Sequence, residues 1–108
     1  MAAVSDDSML DRMIARLVAA LGPERIYLFG SRARGDQSAD SDWDLLVVVG
    51  SSPLPRHARE RIAFRALCGV GASKDVVVFT RDEFNRQRAA VSTLPRKAEE
   101  EGRLVYAA

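Results

Sequence analysis

Two aspartates, Asp42 and Asp44, head an apolar run, and ten residues separate the first of them from the pair Gly30-Ser31, which closes an earlier apolar segment. In an extended strand residues i and i+2 face the same side, so the two carboxylates project together with Cα atoms about 6 to 7 Å apart. At an effective dielectric near 20 such a pair repels by about 3 kcal/mol. Trp43 between them faces the other way and the adjacent sequence supplies no compact neutralising pair, so the repulsion calls for a cation, a proton or bulk water. The upstream turn favours the cation. A glycine leaving a strand lets the backbone come close to an anion, and a helical turn opening at Ser31 aims N–H groups and a hydroxyl at it. Carboxylate and phosphate oxygens are the hard ligands that Mg²⁺ takes, so a nucleoside triphosphate with its metal satisfies both halves. Arg32 and Arg34 are either phosphate contacts or solvated arginines on an exposed turn.

A third carboxylate, Asp75, opens the segment Asp75 to Phe79 and is the only acid in it. Alternation sets Asp75, Val77 and Phe79 on one face, and the register of strand pairing, which the sequence leaves open, decides whether that is the Asp42/Asp44 face. If it is, Asp42 and Asp44 would ligate metal, and Asp75 would ligate it and help deprotonate an attacking hydroxyl. The plainer alternative for Asp75 is a surface pair with Lys74.

The elements that must position these residues follow from periodicity. Leu10, Met13, Ile14, Leu17 and Leu21 mark an amphipathic helix over Met9 to Leu21, with Asp6, Asp7 and Ser8 as capping candidates and Gly22-Pro23 as its stop. Arg25 to Phe29 reads as a strand, Ser31 to Arg34 as one helical turn closed by Gly35, and Asp36 to Ser41 as a loop. Asp42 to Val49 is apolar on both faces and is expected in the middle of a covered sheet. Pro55 is expected to open a helix to about Cys68 that buries Ala58, Ile62, Ala63, Ala66 and Leu67. Its arginines Arg56, Arg59, Arg61 and Arg65 are expected to face water or an acidic partner, and His57 to be solvated. After Asp75 to Phe79, Thr80 and Glu83 have the spacing of a capping box for a helix containing Phe84. A helix from about Pro95 to Glu101 and an edge strand Arg103 to Tyr106 complete an α/β fold with about four strands. Trp43 is expected to pack in the core or under the loop.

With 108 residues, 47% of them hydrophobic, the chain is expected to form one domain over residues 1–108. Sixteen basic against fifteen acidic residues leave a formal charge of +1, which argues against a nucleic-acid partner while leaving room for a small anionic ligand. The lone Cys68, beside Ala66 and Leu67, is expected to be a buried thiol in a reducing compartment. The start, Met1 to Ser8, is small and acidic, unlike a signal peptide, and no apolar run reaches the length of a membrane span, so a cytoplasmic location without membrane partners is expected.

In these residues the sequence resembles the nucleotidyltransferase superfamily of the DNA polymerase β type, and within it the minimal, antitoxin-like nucleotidyltransferases. Their signature is Gly-Ser, ten residues, Asp-x-Asp and a distant Asp on a neighbouring strand, matched here by Gly30-Ser31, Asp42-x-Asp44 and Asp75. Gly30-Ser31-x-Ala33-Arg34-Gly35, Ser41-Asp42-x-Asp44-Leu45 and the closing Glu101 to Tyr106 extend the likeness over nearly the whole chain. The resemblance implies a small mixed sheet with helices packed on it, and transfer of a nucleoside monophosphate, usually AMP from ATP, to a hydroxyl as pyrophosphate leaves. It implies Mg²⁺, two ions, held by Asp42, Asp44 and Asp75, with Gly30, Ser31, Arg32 and Arg34 on the nucleotide. It further implies an antitoxin of a type VII toxin–antitoxin pair that modifies a helical HEPN-type toxin. A binding antitoxin that needs no chemistry, and a small-molecule transferase acting on an antibiotic hydroxyl, stand as alternatives. Self-association into a homo-oligomer is left open.

Overall fold

The computed structural model describes residues 6–108; the start Met1–Ser5 and the side chains of the capping candidates Asp6 and Asp7 lie outside the described residues. Four strands, β1 (Arg25–Phe29), β2 (Trp43–Val49), β3 (Lys74–Thr80) and β4 (Arg103–Ala107), form one mixed sheet in the order β3-β2-β1-β4. β2 lies between β1, its antiparallel neighbour, and β3, its parallel one, while β4 pairs antiparallel with β1 at the edge. Leu45 to Val48 are fully buried, as a strand covered on both faces requires.

Alternation along the strands divides the core in two. On one face Trp43, Leu45, Val47, Ile26, Leu28, Val76 and Val78 pack with α1 (Asp6–Leu21) and α3 (Arg56–Ala66). On the other, Tyr27, Leu46, Val48 and Phe79 pack with Phe84 of α4 (Arg81–Gln87) and Ala98 of α5 (Leu94–Glu101). α1 begins at Asp6, three residues before its first expected position, and buries Leu10, Met13 and Leu17 at helical spacing. It is also tied to the end of α3. Arg12 donates from Nη2 to the Val70 carbonyl at 3.1 Å, and Arg16 from Nη1 to the Cys68 carbonyl at 2.8 Å. The connection entering β3 is thereby anchored.

Two expectations for α3 are corrected. The helix ends at Ala66 and its last core position is Leu67, after which Gly69 at φ 85° turns the chain, so Cys68 is exposed and not a buried thiol. Arg59 is not solvated: it lies one turn before Ala63 on the inward stripe and is only 3% exposed. Burial of that guanidinium is compensated by Glu83, whose Oε1 lies 3.0 Å from Nη2. Glu83 also accepts from the Thr80 N–H at 2.9 Å, closing the capping box that starts α4. These contacts hold the Glu83 carboxyl below its ordinary value, the Arg59 hydrogen bond acting most strongly. Ala58, Ile62 and Ala66 are half-buried, and His57 is exposed.

Candidate active site

The two pieces singled out by spacing meet at one end of the sheet. β1 runs into Gly30 while β2, antiparallel to it, starts beside that turn, so that Phe29 is paired with Asp44. Gly30 has φ 74° and ψ −159°, a region essentially confined to glycine. Packing adds a second requirement: a Cβ at Gly30 would overlap Oδ2 of Asp44 and lie 3.1 Å from its Cγ. The Gly-Ser turn therefore rests directly on one of the candidate ligands. Ser31 begins the short helix α2 (Ser31–Arg34), which Gly35 closes in the left-handed conformation at φ 84°.

The parallel register of β2 and β3 pairs Asp44 with Asp75. Aligned residues of neighbouring strands share a face, so Asp75 stands beside Asp44 on the side carrying Leu46, Val48 and Phe79. Asp44 is half-buried while Asp42 and Asp75 are exposed. Burial raises the Asp44 carboxyl above its ordinary value of 3.8, the charges of Asp75 and Asp42 raise it further, and Arg34 and Lys97 oppose them. The site thus carries a surplus of negative charge.

Asp42 precedes the first residue of β2, and its Oδ1 accepts a hydrogen bond from the Ser73 hydroxyl. The Trp43 N–H donates to the Ser73 carbonyl at 2.9 Å, so Ser73 fixes both the strand start and the carboxylate before it. Arg32 is placed differently from Arg34. Its guanidinium carbon lies 4.2 Å from the centroid of the Trp43 ring, on the sheet face opposite Asp44, and its Nε donates to the Ser41 carbonyl at 3.1 Å. That geometry staples the loop Asp36–Ser41 to the start of β2, an interaction worth about 0.5 to 2 kcal/mol. Arg34 is exposed, with its Nε 3.3 Å from Asp36 Oδ2, and its charge reaches Asp44. Ser73 is a participant that spacing does not reveal, because a tertiary hydrogen bond brings it to Asp42.

Among the described residues no group of three or more His, Cys, Asp and Glu side chains is drawn together closely enough to hold a metal ion. Like charges without a counter-ion stay apart, and Asp42 is held by Ser73. The donor set nonetheless fits a hard divalent cation: three carboxylates on adjacent chain segments at one sheet end, one of them raised by burial and by the charges of the other two.

Comparison with known proteins is consistent across sequence and fold. The family model of the nucleotidyltransferase domain matches residues 10–105. Among solved structures, a provisionally assigned nucleotidyltransferase from Sulfolobus solfataricus superposes with a TM-score of 0.65 at 24% identity, over 92% of this chain and 78% of the other. A toxin–antitoxin solved with AMP-PNP gives 0.63 at 25% identity, over 91% and 73%. A mutant of the MntA–HpeT toxin–antitoxin gives 0.60 at 24% identity, over 88% and 71%. No curated protein matches the sequence. The mixed four-stranded sheet with the five helices of the described residues is the polymerase β-like nucleotidyltransferase fold.

Proposed function

This chain belongs to the nucleotidyltransferase domain family, and from that premise we propose that it moves AMP from ATP to a hydroxyl of a partner toxin, with Mg²⁺ bound by Asp42, Asp44 and Asp75. The observation that carries the reading is the β2–β3 register, which sets Asp44 beside Asp75 while Gly30 packs on Asp44. One end of one sheet then holds both a carboxylate pair and a turn able to receive phosphate.

In this reading, bound Mg²⁺ offsets the negative charge shared by the carboxylates and the phosphates and lowers the cost of charge on the departing pyrophosphate. Gly30 lets the backbone approach the phosphate chain, and Ser31 and Arg34 donate hydrogen bonds to it. Asp75, exposed on the shared face, takes the proton of the acceptor hydroxyl as its oxygen bonds to the α-phosphorus. Asp42 is oriented by Ser73. Arg32 serves by fixing the loop before Asp42.

The toxin partner is supported by the fold shared with a toxin–antitoxin solved with AMP-PNP. We assign the partner to the helical HEPN type, and this chain to the antitoxin role of a type VII pair. Among the described residues no helix is long and apolar enough to cross a membrane, and a reaction consuming ATP with Mg²⁺ belongs in the cytoplasm.

The test is label transfer to the co-expressed toxin from ATP labelled at the α- or the γ-phosphate. The α-label is expected on the toxin and the γ-label in pyrophosphate, with both the label on protein and toxin neutralisation lost in Asp42→Asn/Asp44→Asn. Neutralisation that survives this double substitution would instead establish an antitoxin that works by binding alone.

A further inference from the structure

A buried guanidinium that the nucleotide site does not use lies at the other end of the sheet. β2 runs away from the acids to Val49, about 16 Å beyond Asp44 at a rise of about 3.3 Å per residue. The chain then turns through Gly50 to Pro55, the N-cap of α3, and Arg59 follows on the inward stripe, 3% exposed. Both oxygens of Glu83 fall on one nitrogen of this side chain: Oε1 lies 3.0 Å and Oε2 3.1 Å from Nη2. Nε and Nη1 are buried and have no hydrogen-bond partner among the described residues. Neighbouring acids are engaged elsewhere. Glu60 accepts from the Arg56 Nε at 2.8 Å and the Val78 N–H at 3.0 Å, and Glu24 accepts from the Arg81 Nε at 2.9 Å.

Arg59 lines a cavity of about 80 Å³ whose aliphatic walls are Leu21, Val49, Leu54 and Ile62. The other polar side chains of its lining are Ser51 and Ser52. Ser52 Oγ accepts from the Leu54 N–H at 3.1 Å, which leaves its own proton to donate. The lining side chains thus offer a guanidinium and two hydroxyls, with no carboxylate or amide oxygen among them. An ionised carboxylate only accepts and so complements these donors, whereas water must also donate. The volume equals roughly three waters at about 30 Å³ each, enough for a carboxylate on a short aliphatic body.

We propose that this cavity is a second ligand site, remote from the nucleotide, which binds a small aliphatic monocarboxylate through the N–H groups of Arg59 that Glu83 leaves open. A monoanion suits a guanidinium whose charge Glu83 already shares, while a phosphate dianion would carry surplus negative charge between apolar walls. The carboxylate is that of a free acid or of an acidic side chain on a bound protein. The proposal stands independently of the nucleotidyltransferase chemistry.

The test follows the Arg59 Nε–H and the Ser51 and Ser52 amide resonances by ¹H–¹⁵N NMR while isobutyrate, isobutyramide or inorganic phosphate is added at constant ionic strength. Isobutyrate is expected to shift these resonances saturably. Isobutyramide should bind roughly tenfold more weakly, for want of a charge-assisted hydrogen bond, and phosphate should leave them unmoved. In Arg59→Met, shown to be folded by thermal melting, the two serine amides should no longer respond to isobutyrate. N-acetyl-glutamate N-methylamide separates the two sources: a response to it as well assigns the cavity to an acidic residue of a bound protein, and a response to isobutyrate alone assigns it to a free acid. No saturable shift in the wild type, equal affinity for isobutyrate and isobutyramide, or an unchanged amide response in Arg59→Met overturns the proposal. The wild-type titrations decide it even where the variant fails to fold.

Discussion

Replacing Asp44 by asparagine should stabilise the metal-free protein while abolishing its activity. Asp44 is half-buried beside Asp75, whose strand is its direct parallel neighbour. Adjacent strands lie about 4.8 Å apart, so two full charges there would repel by about 3 kcal/mol at an effective dielectric near 20. Arg34 and Lys97 act in the opposite sense, and the exposure of Asp75 screens the pair, leaving about 1 kcal/mol to be recovered by Asp44→Asn. For a domain of this size that corresponds to a rise of about 5 °C in melting temperature. The sign with pH is fixed because the folded-state carboxyl is raised above its ordinary value of 3.8. Above the folded value the ionised carboxylate destabilises the wild type. As pH falls through that value the folded state takes up the proton, and the penalty fades. Below the ordinary value both folded and unfolded forms are protonated, and no difference from the asparagine variant remains. Thermal melts of both proteins in EDTA, from pH 7.5 downward, provide the assay, repeated with Mg²⁺ at neutral pH. Mg²⁺ should raise the wild-type melting temperature and leave the variant nearly unmoved. A destabilised variant, or a difference independent of pH, would refute this account of the charge balance.

Gly30→Ala should cost about 1 to 3 kcal/mol of stability from its backbone conformation alone, and displacement of Asp44 by the new methyl should remove nucleotide transfer altogether; chemical denaturation and the label-transfer assay check the two parts. Glu83→Ala should cost about 3 kcal/mol, because it strands the buried Arg59, two of whose nitrogens already lack a partner among the described residues, whereas Arg59→Met should cost distinctly less. Equal losses in urea denaturation would contradict that asymmetry. Since the Glu83 carboxyl is held below its ordinary value of 4.5, its contribution is present above that pH and is lost as pH falls through the folded value. Ser73→Ala should release Asp42 and weaken Mg²⁺-dependent ATP binding several-fold without unfolding the protein, as an exposed hydrogen bond is worth about 1 kcal/mol; calorimetric titration measures it.

Local signals were sufficient where a residue's neighbours in sequence decide its environment. The doubly apolar run Leu45 to Val49 could lie only between two covered faces, and Thr80 with Glu83 built the expected capping box. Gly30-Ser31 and Asp42-x-Asp44 were legible because a turn and a strand period are local geometry. The face of Asp75 was not, since a shift of one residue between β2 and β3 would have turned it away, and only the three-dimensional register pairs it with Asp44. Arg59 and Cys68 were misread for related reasons. Residue type suggested water for the arginine, but Glu83, 24 positions later, makes its burial tolerable. Residue type suggested burial for the cysteine, but the helix ends before its side chain can turn inward. Ser73 carries no motif and acquires meaning only through its hydrogen bond to Asp42.

The central claim is that Asp42, Asp44 and Asp75 with the Gly30-Ser31 turn form one metal-dependent nucleotide site. Calorimetric titration of ATP into the wild type and into Asp42→Asn/Asp44→Asn, with Mg²⁺ and with EDTA, tests it most directly. The expected result is binding by the wild type in Mg²⁺ alone and none by the double variant under either condition. ATP binding of equal strength in EDTA, or undiminished in the double variant, would contradict the account.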